Sequence, residues 1–423
     1  MRVLVVGSGG REHAIAWKIS QSKAVEKLYC APGNPGTSKI AGNVSIPANE
    51  IHKLADFASK NKIDLTVVGP EEPLVKGIVD EFQRRGLKIF GPRAESAILE
   101  GSKVFTQQFL EKYGIPAPNA EIFDSADDAI AFVKLQKAPV VVKADGLAAG
   151  KGVVVAESKE EAINAIKEIM VEKKFGHAGG KILLQEKLSG QEASFIVFSD
   201  GKNVKPLPVS QDHKRVFDGD EGPNTGGMGA YSPAPIVSDE MQKRILEEII
   251  IPTVKAMAEE GREFVGILYA GLMIDGNKIK VLEFNCRLGD PEAQAILPRL
   301  DSDLIEVMNA CVDGKLDKID VKWKRDACCS VVLASKGYPE KYESGKVISG
   351  IEEAEKTGAM VFQAGTRLEN GSLLSSGGRV LAVSALGKTI DESVKKAYAA
   401  VSKISFEGMH FRKDIGKKAY AMR

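Results

Sequence analysis

Cysteine is scarce in this chain: Cys30, Cys286, Cys311, Cys328 and Cys329 are the only five in 423 residues. An odd number without a C-x-x-C pair leaves no basis for a disulfide framework and predicts reduced, mostly structural thiols in a cytoplasmic protein. The five histidines are scattered, with no H-E-x-x-H or other transition-metal spacing. An excess of one charge is also missing: 58 Lys and Arg face 57 Asp and Glu, a net charge of +1. No global field therefore draws nucleic acid or an anionic membrane, and an anionic ligand must be held by local groups. No apolar run approaches the roughly 20 residues that cross a bilayer, and Met1–Val6 is far too short for a signal peptide. Internal repeats at solenoid periods and low-complexity segments are absent too.

What is present is an ordinary globular profile, 43% apolar and 27% charged, long enough for two to four packed units. The first hundred residues repeat one theme of short apolar strand, glycine-rich turn and helix. Arg2–Val6 runs into Gly7-Ser-Gly-Gly10, Lys27–Cys30 into Gly33-Asn-Pro-Gly36, Leu65–Val68 into Gly69-Pro-Glu71, and Leu87–Phe90 into Gly91-Pro92. Continuous apolar strands alternating with helices predict a parallel sheet covered on both faces, with ligands at the strands' carboxyl ends. A helix over Ser102–Tyr113 then leads to the breaker cluster Gly114-Ile-Pro-Ala-Pro118. Beyond it we expect strands Pro139–Lys143, Val153–Ala156 and Lys181–Gln185, with a helix around Lys159–Glu172. Further strands follow at Ala193–Phe198, Phe264–Ile274 and Lys278–Asn285, the last two joined by a hairpin turn at Asp275-Gly276-Asn277. A third region begins after about Lys322.

Three runs carry chemistry. Gly7-x-Gly9 invites a dinucleotide reading, but the third glycine of that fingerprint is replaced by Glu12 and no acid ends the second strand. What survives is a helix start with free N–H groups and Arg11 beside them, either a cradle for one phosphate or a tight turn with no ligand. Lys143-Ala-Asp-Gly-Leu-Ala-Ala-Gly-Lys-Gly152 is not a Walker A loop, since only three residues separate Gly146 from Gly150 and Gly152 replaces the Ser or Thr. It reads as a strand–loop–strand flap with lysines at both ends, suited to a polyphosphate, or as a glycine hairpin with surface lysines. In Lys278–Asn285, strand alternation puts Ile279, Val281, Glu283 and Asn285 on one face and Leu282 and Phe284 on the other. Glu283 and Asn285 then lie roughly 7 Å apart, a carboxylate and an amide oxygen suited to Mg²⁺ or Mn²⁺. The alternative is an ion pair with Arg287.

Together the strings Gly7-Ser-Gly-Gly-Arg-Glu-His13, Ala31-Pro-Gly-Asn34, Lys143–Gly152, Gln211-Asp-His-Lys-Arg215, Pro223–Pro233 and Glu283–Glu292 resemble the glycinamide ribonucleotide synthetases, within the ATP-grasp superfamily. The resemblance spans essentially the whole chain and implies an α/β fold. Its parts would be an N-terminal parallel domain (1–101), an ATP-grasp core (102–322, flap about 119–190) and a small C-terminal α+β domain (323–423). It implies a stand-alone cytoplasmic monomer using ATP, glycine, 5-phosphoribosylamine and Mg²⁺ or Mn²⁺, with neither nucleic acid nor membrane as partner. Lys103 and Lys143 would contact ATP phosphates, and Gly150 and Lys151 would ride on the flap. Gln185, Glu186 and Leu188 would form the adenine hinge, with Glu192 near the ribose. Glu283 and Asn285 would bind metal, and Arg287 would neutralise the transferring phosphoryl group. Gly9, Gly10 and Arg11 would hold the phosphate of phosphoribosylamine, with Asn34 and Glu71 near its ribose. Asp212 and the Thr225–Gly229 loop, with Thr225, Gly226 and Gly227, would serve glycine and the acyl phosphate, Lys214 and Asp290 would bind substrate, and Arg287, Lys151 and Asp212 would be the catalytic residues.

Two positions depart from the family. Gln363-Ala-Gly-Thr366 stands where His-Ala-Gly-Thr is usual, and Gln185 stands where an acid is common. Rival readings are another ATP-grasp ligase, such as a biotin carboxylase-like enzyme or a carboxyaminoimidazole ribonucleotide synthase, and a nucleotide-binding regulatory protein without turnover.

Overall fold

The computed structural model describes residues 1–137, 139–147 and 152–420. Its N-terminal sheet has five strands in the order Gly42–Asn43, Lys27–Pro32, Arg2–Gly7, Leu65–Val68 and Ile89–Phe90. Every pairing in it is parallel. Val3, Leu4, Val5 and Val6 are all fully buried, which is why the central strand is continuously apolar rather than alternating. The strand order reverses beside Arg2–Gly7, so a crevice opens at the carboxyl ends of this strand and Leu65–Val68. The loops carrying Gly9 and Glu71 begin there.

The helix Lys103–Lys112 starts where Ser102 Oγ accepts the Phe105 N–H at 3.0 Å. It leads into an antiparallel sheet ordered Ala120–Phe123, Ile182–Glu186, Val140–Ala144 and Val153–Val155. Ala129, Val133, Val142, Ile166 and Leu184 give this flap a small core of its own. The helix predicted over Lys159–Glu172 is α-helical only over Lys159–Ile166 and widens to a π-turn over Lys167–Val171.

A second antiparallel sheet, ordered Val204–Pro206, Gln191–Asp200, Val265–Asp275 and Lys278–Asn285, forms the floor beneath the flap. The predicted hairpin is present, with Gly276 at φ +57° in its two-residue turn. Strand alternation fails within its last strand. Gly271 pairs with Glu283 but Leu272 pairs with Val281, so Leu282 is the extra residue of a β-bulge. Ile279 and Val281 therefore join Phe284 in the core, and they do not share the face of Glu283 and Asn285 as simple period-two reading predicts. The bulge rotates the strand just before its polar residues and aims them at the cleft.

The C-terminal sheet, ordered Gln211–Asp212, Gly229–Ser232, Ala327–Ala334, Arg379–Gly387 and Met360–Gln363, takes its first two strands from the middle of the chain. It thereby ties the Asp212 and Thr225–Gly227 segments to the last hundred residues.

Candidate active site

One cleft of about 780 Å³ lies between flap and floor, and it reaches the crevice of the N-terminal sheet. Lys103, Lys143, Lys214, Glu283, Asn285 and Arg287 all line it. Lys143 is 6% exposed, and its Nζ donates to the carbonyl of the bulged Leu282 at 2.9 Å. Burial pushes this ammonium down to about 8, against the charge of Glu283, and Lys103 and Lys214 add repulsion. Lys103 Nζ donates to the Gly146 carbonyl at 2.8 Å. Lys214 sits 2.6 Å from Glu192 and 3.8 Å from Glu283. Burial works against its charge, but the two carboxylates raise its pKa above the ordinary lysine value. In return, Lys214 and Lys143 overcome burial at Glu283 and hold that carboxyl below its usual range. The cleft thus presents a cationic cluster around the Glu283 carboxylate, with Glu192 on its edge. Gly150 and Lys151 lie outside the described residues.

Arg287, offered above as the alternative partner of Glu283, pairs instead with Glu71 and Glu100. Its Nε donates to Glu71 at 3.1 Å and its Nη2 to Glu100 at 2.6 Å. Burial opposes the guanidinium charge, but both acids keep it protonated. Glu71, drawn down to about 2 against burial by Arg287 and Arg11, lies 3.7 Å from Arg11 Nη2. A line of alternating charge therefore runs from the N-terminal loop to the end of the floor strand.

At the hinge, Gln185 Nε2 donates to Gln107 Oε1 at 2.8 Å, and both side chains line the cleft. Glu186 pairs with Lys280 and accepts the Asn119 N–H at 3.0 Å. Leu188 lines the cleft beside them. In the N-terminal loop, Gly9 N–H donates to Glu12 at 2.6 Å, and Arg11 is pinned by Glu12 at 2.6 Å and the Leu288 carbonyl at 3.1 Å. A Cβ on Gly7 or Gly69 would lie 2.4 or 2.3 Å from the Glu12 side chain, so the acid that breaks the dinucleotide fingerprint fills the space beneath this loop. Gly10 packs against Gln294, where a Cβ would lie 2.7 Å from its amide nitrogen. Arg11 and Glu71 line the cleft. Asn34 stands apart. Its oxygen accepts from Gly36 and Thr37 N–H, and its nitrogen donates to the Ser8 and Gln363 carbonyls. All four positions of the amide are engaged, which commits it to shaping the loop.

The Thr225–Gly227 loop closes the far wall. Thr225 Oγ1 accepts the Gly227 N–H at 2.9 Å, and Gly226 N–H donates to Tyr338 Oη at 2.9 Å. Arg379 donates to the Gly226 and Asp290 carbonyls at 2.5 and 2.6 Å and pairs with the Asp290 carboxylate at 3.3 Å. Gly227 approaches Asp212 so closely that a Cβ would lie 2.9 Å from Oδ1. Burial, then the charge of Glu292, lifts the Asp212 carboxyl well above its usual range.

Sequence reading missed Glu100, Gln107, Glu292, Tyr269, Tyr338 and Arg379. Glu292 ends a motif string, so its spacing from Glu283 was available as a signal; Arg379 and Tyr338 sit in strings with none. Gln363, at the position where the resemblance leads to the expectation of a histidine, accepts from Thr366 Oγ1 at 3.0 Å.

Among the described residues no group of three or more His, Cys, Asp or Glu converges as a metal cage. The donor set is one ionised carboxylate and one amide, and the Asn285 amide has no protein partner among the described residues. That suits a hard divalent cation whose remaining ligands are water and nucleotide phosphate.

Family models match three consecutive stretches: the phosphoribosylglycinamide synthetase N domain over residues 1–100, its ATP-grasp (A) domain over 101–293 and its C domain over 328–418. The chain is 52% identical to a phosphoribosylamine–glycine ligase of Vibrio parahaemolyticus, covering 100% of this chain and 99% of that protein. It is 53% identical to the Escherichia coli K12 enzyme of the same name, covering 99% of each. Among solved structures, the phosphoribosylamine–glycine ligase of Thermotoga maritima superposes with a TM-score of 0.85 at 35% identity, over 98% of this chain and 100% of that one. The biotin carboxylase domain of Hydrogenobacter thermophilus 2-oxoglutarate carboxylase, solved with MgADP and bicarbonate, gives a TM-score of 0.72 at 15% identity, over 97% of this chain and 91% of that one. That likeness is one of fold. No helix among the described residues is long and apolar enough to cross a membrane. The parallel sheet, the flap over an antiparallel floor and the full-length match place the chain in the phosphoribosylglycinamide synthetase family, with an ATP-grasp fold.

Proposed function

We propose that this cleft joins glycine to 5-phospho-D-ribosylamine at the expense of ATP, giving N1-(5-phospho-D-ribosyl)glycinamide, ADP and phosphate in de novo purine biosynthesis. The observation that carries this reading is the meeting of Lys103, Lys143, Lys214, Arg287, Glu283 and Asn285 in one cleft, in a chain of this family. A glycine carboxylate oxygen attacks the γ-phosphorus and ADP leaves. The phosphoribosylamine nitrogen then attacks the glycyl carbonyl carbon, phosphate leaves with the C–O bond electrons, and the nitrogen loses a proton. Such transfers depend on positioning and charge stabilisation rather than on a protein nucleophile.

Lys103 and Lys143 hold the nucleotide phosphates, and Gly150 and Lys151 cover them as the resemblance implies. Backbone groups of Gln185, Glu186 and Leu188 seat the adenine, with Glu192 toward the ribose. Glu283 and Asn285 would hold Mg²⁺ or Mn²⁺, which would supply charge neutralisation at the phosphates. Arg287 releases Glu71 or Glu100 to meet the phosphoryl group. Gly9, Gly10 and Arg11 take the phosphate of phosphoribosylamine, Glu71 faces its ribose, and Asn34 keeps their loop in shape. Asp212, Lys214, Thr225, Gly226, Gly227 and Asp290 bound the glycine end. The units are 1–101, 102–322 and 323–423, in a cytoplasmic monomer. A coupled assay of ADP release tests the reading. Release should require both glycine and phosphoribosylamine; release driven by bicarbonate without glycine would overturn it.

A further inference from the structure

Strands Arg215–Phe217 and Glu221–Asn224 form a hairpin at the rim of the cleft, with Lys214 entering it and Thr225 leaving it. The Thr225 N–H and Oγ1 both donate to the Lys214 carbonyl, at 2.7 and 2.8 Å, so the base of the hairpin fixes these two residues against each other. Its turn is unfavourable: Gly219 and Asp220 both take positive φ, +73° and +58°. For Asp220 that is a sparsely populated conformation, which persists only where the surroundings impose it.

Those surroundings come from residues 410–418. Arg412 is 1% exposed, and its Nε and Nη2 donate to the two oxygens of Asp414 at 2.8 and 2.7 Å. Its Nη1 reaches the Asp220 carboxylate at 2.7 Å and the Arg215 carbonyl at 3.1 Å. Lys418 pairs with the other Asp220 oxygen at 2.8 Å. Asp414 accepts the Gly219 N–H at 2.9 Å, and the Lys413 N–H donates to Asp218 at 2.7 Å. Burial opposes the charge on Asp220, but Lys418 and Arg412 hold its carboxyl below the usual range. Two cations and two acids balance within this cluster, so it calls for no ligand of its own. Its consequence lies in what it holds, since Arg215, Asp220, Asn224 and Lys418 all line the cleft.

Resting on the ligase reading above, we infer that Arg412 is a positioning residue for the ligation. It acts through Asp220 and the Arg215 carbonyl to keep the hairpin, and with it Lys214 and Thr225, in place at the amino acid end of the cleft. Arg412 does not itself line that cleft. Lys418 holds the second Asp220 oxygen and completes the clamp from the cleft side. The planar guanidinium serves Asp414, Asp220 and a carbonyl at once, which a lysine ammonium cannot reproduce.

The test is steady-state kinetics of Asp220→Gly in the full chain, varying glycine and ATP separately. Glycine accepts the left-handed backbone without strain, while both ion pairs are lost. KM for glycine should rise about three- to tenfold, as for one lost hydrogen-bonding contact, with KM for ATP within about twofold and the urea midpoint at its wild-type value. Arg412→Lys should raise the glycine KM at least as far. Amide hydrogen exchange across residues 215–224 should quicken in both variants, and glycine with a non-hydrolysable ATP analogue should slow it again. If Arg412→Lys does not fold, Asp220→Gly and Lys418→Met decide the matter, since both side chains are partly exposed. An unchanged glycine KM in Asp220→Gly, an equal rise for ATP, or unaltered exchange across the hairpin would overturn the inference. A wild-type enzyme without glycine-dependent ADP release would instead overturn the ligase reading, and the exchange measurement would still report on the clamp.

Discussion

His13 makes acid stability a measurable consequence of how the N-terminal loop is docked. Its Nδ1 accepts the Gln363 N–H at 2.8 Å, so the ring is neutral with its proton on Nε2. Burial, with Lys39 nearby, pushes its pKa from 6.5 down to about 4. The sign is that of a depressed base: the folded state prefers the neutral ring, so stability is complete above pH 6.5 and is lost as pH falls from there through 4. In that window the unfolded chain takes up a proton that the folded chain refuses. The loss is about 2 kcal/mol at pH 5 and about 3 kcal/mol at pH 4. His213, buried and pushed down to about 3, adds about 2 kcal/mol at pH 5 by the same linkage. His13→Asn keeps an acceptor near the Nδ1 position but does not titrate. It should be less stable than wild type at pH 7.5, since it loses the ring edge on Phe362 (centroids 5.6 Å apart), yet lose about 2 kcal/mol less on going to pH 5. Trp17 packs on the same Phe362 at 5.6 Å, so its fluorescence during urea titration in a Trp323→Phe background reports this interface. If wild type and His13→Asn lose stability in parallel between pH 7.5 and 5, to within ~0.5 kcal/mol, the buried neutral ring of His13 is not the source of the acid sensitivity.

Glu283→Gln should lower kcat/KM for ATP at least about a hundredfold and raise the Mg²⁺ concentration for half-maximal rate; near-normal turnover would remove the metal assignment. Lys143, held down to about 8, should be a cation below that pH and neutral above it. ATP affinity should therefore fall up to about tenfold per pH unit between pH 8 and 10, and Lys143→Met should flatten the curve in a direct binding titration. Arg287→Ala leaves Glu71 and Glu100 facing each other without their guanidinium, so urea denaturation should show about 3–5 kcal/mol of destabilisation; a loss below ~1 kcal/mol would mean the acids find other partners.

The parts of the fold legible in sequence are those whose causes are local. Val3–Val6 is apolar throughout because both faces are covered, and Asp275–Lys278 turns tightly because Gly276 takes a positive φ. Leu282 shows where local reasoning stops. Nothing in Lys278–Asn285 announces that its partner strand drops one residue, because a bulge is a property of two strands and neither sequence alone encodes it. Glu283 and Asn285 nevertheless share a face, since they lie two apart on the same side of the bulge. Asn34 differs in kind. A motif string marks it, but only the folded loop shows that its amide is saturated by Ser8, Gly36, Thr37 and Gln363.

The same division separates the two halves of the chemistry. The groups proposed for nucleotide and metal lie within short strings, Lys143 on one strand and Glu283 with Asn285 on another, where strand spacing sets how far apart they stand. By contrast, the cleft-lining groups Asp212, Tyr269, Gly289 with Glu292, and Arg379 come from four separate places. The C-terminal sheet takes in Gln211–Asp212 and Gly229–Ser232, and Arg379 of the same sheet donates to the Gly226 carbonyl in the loop between them. A substitution in the last hundred residues at Arg379 should consequently act on glycine before it acts on ATP. Kinetics of Arg379→Lys, which retains the charge but not the guanidinium's several donors, measure this: the glycine KM should rise severalfold while the ATP KM holds. An equal rise in both would mean that the C-terminal sheet supports the whole cleft rather than its amino acid end.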